Sequence, residues 1–195
     1  MGLDLSEADI AALEARTEGW IAGPEDEDPG YAEECRNLTE SLGLTDKVKF
    51  LGFQRIDEIL PKVGALILSS ISEALPLVVL EANAAGVPCI TTDVGSCRQL
   101  IEGATEDDRA LGPSGAVVGI ADPEALAAAI VDLFVQPARW QAAQQAGIER
   151  VRRYYTESGM LAQYRDVYTS AERSTWRARW LLSFPARSSG PQILS

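Results

Sequence analysis

A chain of 195 residues with 46% hydrophobic and 24% charged residues has room for one well-packed domain and an appendage, and its composition excludes wholesale disorder. A net charge of −12 excludes nucleic acid and anionic membrane surfaces as general partners, because both demand clustered Lys and Arg. With no histidine and only three scattered cysteines (Cys35, Cys89, Cys97), histidine general-base chemistry, Ser-His-Asp triads, ordinary His-containing zinc sites and a disulfide framework are excluded too.

Leu5 to Glu18 reads as a short acidic amphipathic helix with Leu5, Ile10 and Leu13 on one side. Nothing before it has the charged and apolar regions of a secretory signal. No apolar stretch in the chain reaches the roughly 20 residues that span a bilayer, so a reduced cytoplasmic setting is expected. Gly19-Trp20-Ile21-Ala22-Gly23 suits a buried strand, and the acids Glu25 to Asp28 suit a solvated loop. A helical pattern from Tyr31 to Leu42 stops at Gly43, and Lys47 to Gly52 alternates as a strand does.

Ile56 to Val63 predicts a short helix, and Gly64-Ala65-Leu66-Ile67-Leu68-Ser69 a strand covered on both faces. A helix from about Leu75 to Ala85 ends at Gly86, and Val87 to Thr92 is the next strand. Ser96 is placed to cap a short helix through Leu100, and Gly115-Ala116-Val117-Val118 forms another strand. Asp122-Pro123-Glu124 is a strong helix start, combining a cap, a proline at the first position and an acid near the positive dipole end. That helix runs to about Val135, and two more begin at Pro137 and near Thr156. From about Glu172 the sequence predicts a helix fraying into a disordered tail, with Trp176 and Trp180 free to dock elsewhere. Alternating strands and helices imply an α/β fold, a doubly wound parallel sheet with helices on both faces.

In such a sheet, ligands sit outside the carboxyl ends of strands, where loops enter helix N-termini. Ser69 to Pro76 is such a turn, and amides of Leu75, Leu77 and Val78 are expected to face an anion there. Glu73 stands before the helix and Glu81 within it, with seven residues between them. Carboxylates accept from vicinal hydroxyls, so Glu73 is expected on a sugar, Glu81 on a ribose, and the amides on phosphates. On spacing alone the plainer alternative is favoured, with Glu81 a helix-surface acid and Glu73 an acid complementing the dipole.

The surrounding residues change that balance. Ser72-Glu73-Ala74-Leu75-Pro76-Leu77-Val78-Val79-Leu80-Glu81-Ala82-Asn83-Ala84-Ala85-Gly86-Val87-Pro88, followed by Thr92-Asp93-Val94-Gly95, resembles the E-x7-E signature of the group 1 glycosyltransferases. Val48 to Phe53, Gly115 to Val118 and Asp122 to Leu126 resemble other segments of that family, and the likeness covers about Trp20 to Ala171. Gly23 to Pro29 together with Ser70 to Leu77 is especially similar to the branch that serves Pel exopolysaccharide synthesis. The resemblance implies the C-terminal, donor-binding half of a GT-B fold, a UDP-sugar donor (UDP-glucose for that branch), retention at the anomeric carbon, and no cofactor or metal ion. It puts Glu73 on the donor hexose as the catalytic-site acid and Glu81 on the ribose. Leu75, Pro76 and Leu77 would line sugar and phosphates by backbone, and Gly52, Phe53 and Gln54 would lie near uracil.

It further implies a helix over 1–18 left from an upstream part, a nucleotide-sugar-binding domain over 19–171 and an extension over 172–195. Full members carry an N-terminal acceptor domain, and a first strand whose loop brings a basic residue to the diphosphate. Neither is found upstream of Leu5, and neither Lys62 nor Arg98 can be assigned that basic role. The expectation is that the isolated chain binds UDP weakly and transfers sugar slowly or not at all, the acceptor half coming from another chain or an exopolysaccharide synthesis complex. An inactive nucleotide-sugar-binding module is the alternative. An epimerase of GT-B type ranks lowest of the three for want of histidine, and a structural Rossmann-like domain with no ligand is the plain alternative to all of them.

Overall fold

The structure, a computed structural model, describes residues 7–173. Among the described residues five strands and nine α-helices follow in the order α1 (Glu7–Arg16), β1 (Gly19–Ala22), α2 (Pro29–Ser41), β2 (Val48–Gly52), α3 (Ile56–Ile59), β3 (Leu66–Leu68), α4 (Leu77–Ala84), β4 (Cys89–Thr92), α5 (Cys97–Glu102), α6 (Glu106–Arg109), β5 (Gly115–Val118), α7 (Pro123–Val135), α8 (Pro137–Tyr154) and α9 (Glu157–Arg173). One compact unit ends at Arg153 and a second begins at Tyr154. The first unit contains all the strands; α9 lies in the second.

Local chemistry accounts for most of these boundaries. Asp28 accepts the Tyr31 amide at 3.0 Å with Pro29 following, and Asp122 accepts the Ala125 amide at 2.9 Å with Pro123 following. After α4, Gly86 adopts a φ of 74°, where a side chain would be strained. Two sequence expectations are corrected. Ser96 occupies the cap position of α5 but makes no side-chain capping bond. The helix α6 was not anticipated, because its four residues are too few to show periodicity; Thr105 caps it by accepting the Asp108 amide.

Every strand pairing is parallel, as doubly wound connections require. Hydrogen bonding nevertheless divides the strands into two sheets, β1–β2 and β3–β4–β5. Among the described strands only β4 is paired on both sides; β1, β2, β3 and β5 are edges. The apolar run at β3 is therefore not covered throughout, contrary to expectation, and Ile67 at its centre is 38% exposed. The core gathers on β4, where all four residues are buried. Alternation sends Ile90 toward Leu126, Leu133 and Ala143 of α7 and α8, while Cys89 turns toward Val79 and Asn83 of α4. Cys97, Leu100 and Ile101 bury the inner side of α5.

One buried ion pair could not be read from the sequence. Arg150 of α8 and Asp108 of α6 are essentially inaccessible, with Nε–Oδ1 at 2.7 Å. The same guanidinium donates to the carbonyls of Ile101 and Gly112, each at 2.8 Å. It thereby fastens α8 to the loops around α6. Among the described residues no helix is long and apolar enough to cross a membrane.

Candidate functional site

The loop from Ser69 to Pro76 leaves the carboxyl end of β3 and enters α4. Pro76 takes the cap position with extended backbone and offers no side-chain cap, so the first amides of α4, Leu77 and Val78, keep the unpaired donors of a helix start. Leu75, expected to begin the helix, lies one residue ahead of the cap and two before the first helical residue. Helix geometry divides α4 into two sides. Val79, Ala82 and Asn83 are buried, whereas Leu77 and Glu81, four apart, share an exposed face. Glu81 thus looks outward from the second turn, above the same helix start that Glu73 precedes.

Glu73 is half-buried and held. Ser70 Oγ donates to its Oε1 at 2.8 Å. The Ser70 carbonyl accepts from Thr92 Oγ1, a side chain of the buried strand β4. From the other side, the Ser96 amide donates to the Ala74 carbonyl at 2.9 Å. Gly95 makes that approach possible. Its φ is 50°, and a Cβ there would stand 2.2 Å from the Glu73 carbonyl oxygen and 2.6 Å from that of Ala74. The loop after β4 and the loop after β3 are therefore in backbone contact, and only glycine fits between them.

Electrostatically the site is acidic, apart from the helix end. Arg98, the first cation after the motif in sequence, has its guanidinium already occupied by Asp93 at 2.7 Å and Glu102 at 2.8 Å. Beneath the loop, burial pushes the Cys97 thiol above its ordinary pKa, and the charges of Glu73 and Asp93 add to the shift. Among the described residues no cluster of three acids, cysteines or histidines could hold a metal ion.

Gly52, Phe53 and Gln54 stand at the carboxyl end of β2, in the other sheet. Gly52 has a φ of 63° and receives the Gly23 amide at 3.0 Å, while Phe53 is 76% exposed. Gln54 donates back to the Leu51 carbonyl at 2.7 Å. Among the described residues no hydrogen bond or ion pair links this group to Glu73 or Glu81; each group follows the carboxyl end of a strand in its own parallel sheet. Two concavities of about 210 and 360 Å³ lie elsewhere, one beside Gly115 and Arg139 and one beside Glu25 and Arg36. The first opens at the amino end of β5, away from where such sheets bind ligands. The loop–helix turn is preferred because it joins a helix start and two carboxylates at the carboxyl end of β3.

The sequence missed Ser70, Thr92 and Gly95 as supports of Glu73. Thr92 and Gly95 lay within the quoted motif, but contacts across 22 residues leave no local mark.

The family described as "Glycosyl transferases group 1" matches residues 6–150. N-acetyl-alpha-D-glucosaminyl L-malate synthase of Bacillus anthracis is 29% identical over 132 residues, 67% of this chain and 32% of its own. The exopolysaccharide phosphotransferase SCO2592 of Streptomyces coelicolor is 35% identical over 136 residues, 69% of this chain and 14% of its own. The chain thus spans a third or less of these relatives' length. Among solved structures, Anabaena Alr3699/HepE in complex with UDP-glucose superposes with a TM-score of 0.68 at 21% identity, covering 84% of this chain and 43% of that one.

Proposed function

The chain belongs to the group 1 glycosyltransferases, and on that premise we propose that residues 19–153 form the donor site of a hexosyltransferase that takes a UDP-sugar, UDP-glucose in the first instance. The observation that carries the reading is the turn into α4, where free helix amides stand between two carboxylates. In this proposal the diphosphate lies against the amides of Leu77 and Val78, with the backbone of Leu75 and Pro76 beside it. Glu73 accepts from hexose hydroxyls, and Glu81 from the ribose. The uracil lies toward Gly52, Phe53 and Gln54. The neighbour solved with UDP-glucose supports the choice of donor by its fold alone.

Departure of UDP concentrates negative charge on the β-phosphate, and stabilising such charge is usually the largest catalytic contribution. The helix end carries about half a positive charge and meets part of that demand without a metal ion. Retention at the anomeric carbon enters the proposal as what the family resemblance implies. The acceptor side of the reaction, a role in exopolysaccharide synthesis and the Pel-type specificity belong to the same proposal. A relative that bears the name of an exopolysaccharide phosphotransferase supports the second of these. Three free cysteines among the described residues support a reducing, cytoplasmic setting.

A binding module without turnover is the second reading, and one observation favours it. Arg98 is tied to Asp93 and Glu102, so its charge is already committed and not free to neutralise the phosphates.

Calorimetric titration with UDP tests the donor site. Glu81→Ala is expected to weaken UDP binding by roughly tenfold, the usual worth of a hydrogen bond to a charged group. A folded wild-type chain that shows no UDP binding sinks the proposal. Sugar release from UDP-glucose by the wild type separates the enzyme from the module.

A further inference from the structure

Resting on the reading of Glu73 as the hexose contact, we infer that Ser70 is a positioning residue that presets the Glu73 carboxylate and so determines how much the sugar adds to donor affinity. Glu73 precedes the first helical residue, Leu77, by a full turn's length of chain, too far for the dipole of α4 to orient it, since that effect fades beyond the terminal turn. Among the described residues Ser70 is the one side chain bonded to it, and Glu73 takes part in no ion pair. A carboxylate side chain otherwise has several rotamers to explore.

The arch from Ser70 to Ala74 is fixed at both feet. At one, Thr92 Oγ1 donates to the carbonyls of Ser70 and Leu68, so a fully buried strand holds the exit of β3. At the other, Gly95 and Ser96 press on the Glu73 and Ala74 carbonyls. Ile71 and Ser72 between the feet are exposed and hold nothing. Backbone anchoring alone would fix the Glu73 Cα and leave its carboxylate free. The Ser70 hydroxyl adds the missing constraint.

Its chemistry suits a diol. Ser70 directs its proton to Oε1, which leaves Oε2 with both lone pairs and Oε1 with one. The carboxylate can then accept from two neighbouring hydroxyls in a fixed plane. A bond to an ionised group is also stronger than a neutral one, so Ser70 holds Glu73 firmly without neutralising it.

The test compares UDP with UDP-glucose by calorimetry of the whole chain, in wild type, Ser70→Ala, Ser70→Thr and Glu73→Ala, with urea midpoints recorded for each. The ratio of the two affinities isolates the hexose. Ser70→Ala is expected to lower that ratio by about tenfold with UDP affinity unchanged, Ser70→Thr to restore it, and Ser70→Ala to add nothing in the Glu73→Ala background. An unchanged ratio in Ser70→Ala overturns the inference, as does an equal loss for UDP and UDP-glucose, which marks a merely structural bond. A wild type that binds UDP but gains nothing from the glucose overturns the placing of Glu73 while sparing the nucleotide site. Failure of the folded wild type to bind UDP overturns the donor-site reading, and this inference with it.

Discussion

Gly95→Ala is the substitution that most directly probes how the two loops build the site. A Cβ at residue 95 would lie 2.2 Å from the Glu73 carbonyl oxygen, against a practical lower limit of 3.0 Å for such contacts. The neighbouring atoms are backbone on both sides, so the turn at residues 73–74 must retreat by roughly 1 Å in a close-packed surrounding. Holding alanine at a φ of 50° adds about 1–2 kcal/mol of conformational strain. With about 1–3 kcal/mol for overpacking, the total loss comes to about 2–5 kcal/mol, a large share of the roughly 5–15 kcal/mol available to a domain. A shift of about 1 Å in a positioning group typically costs on the order of a hundredfold in rate, so Glu73 is also expected to lose its grip on the sugar. Urea denaturation followed by tryptophan fluorescence reads the first effect, and UDP-glucose calorimetry the second. Gly119→Ala is the control, because its φ is ordinary and its new Cβ would meet nothing nearer than 3.7 Å. If Gly95→Ala matches that control in both assays, the clamp between the loops is not there.

Two further outcomes concern the core. Arg150→Met strands the buried Asp108 carboxylate and removes donors from the Ile101 and Gly112 carbonyls, so a loss of about 3–5 kcal/mol is expected in urea unfolding. Adding Asp108→Leu recovers part of it; a loss below about 1 kcal/mol for the single change contradicts the role assigned to the pair. Burial raises the Cys89 thiol's pKa far above the usual thiol range, with Cys97 as a smaller contributor. The native state therefore keeps a proton that the unfolded chain releases above a pH of about 8.5, and stability falls there by up to about 1.4 kcal/mol per pH unit. Below that pH the contribution is intact. Urea midpoints between pH 7 and 10 check it, and Cys89→Ala should flatten the decline; an identical slope in the variant removes Cys89 from the explanation.

Much of the molecule was written locally. The Asp-Pro start of α7, the glycines after α2 and α4, and the apolar runs of β3 and β4 are signals within a few residues of the elements they set, whereas the Asp28 cap of α2 lies in an acidic run that reads as loop. Strand and helix order followed, and with it the α/β class and the identity of the loop that enters α4. The motif from Ser72 to Pro88 also marked the family in sequence, because its residues are contiguous.

Tertiary structure alone decided the rest. Arg150 and Asp108 lie 42 residues apart, and an arginine in an amphipathic helix reads as a surface residue until its partner is seen. Thr92 reaches Ser70 across 22 residues, and Gly95 meets Glu73 only once the crossover through α4 has laid β4 beside β3. The division into two sheets, and with it the exposure of Ile67, was equally invisible, since an apolar run states that a strand wants cover and not which strand supplies it. Caps and periodicity are short-range interactions and survive in the sequence as patterns. Contacts between distant segments depend on where the folded chain returns, which no window of neighbouring residues contains.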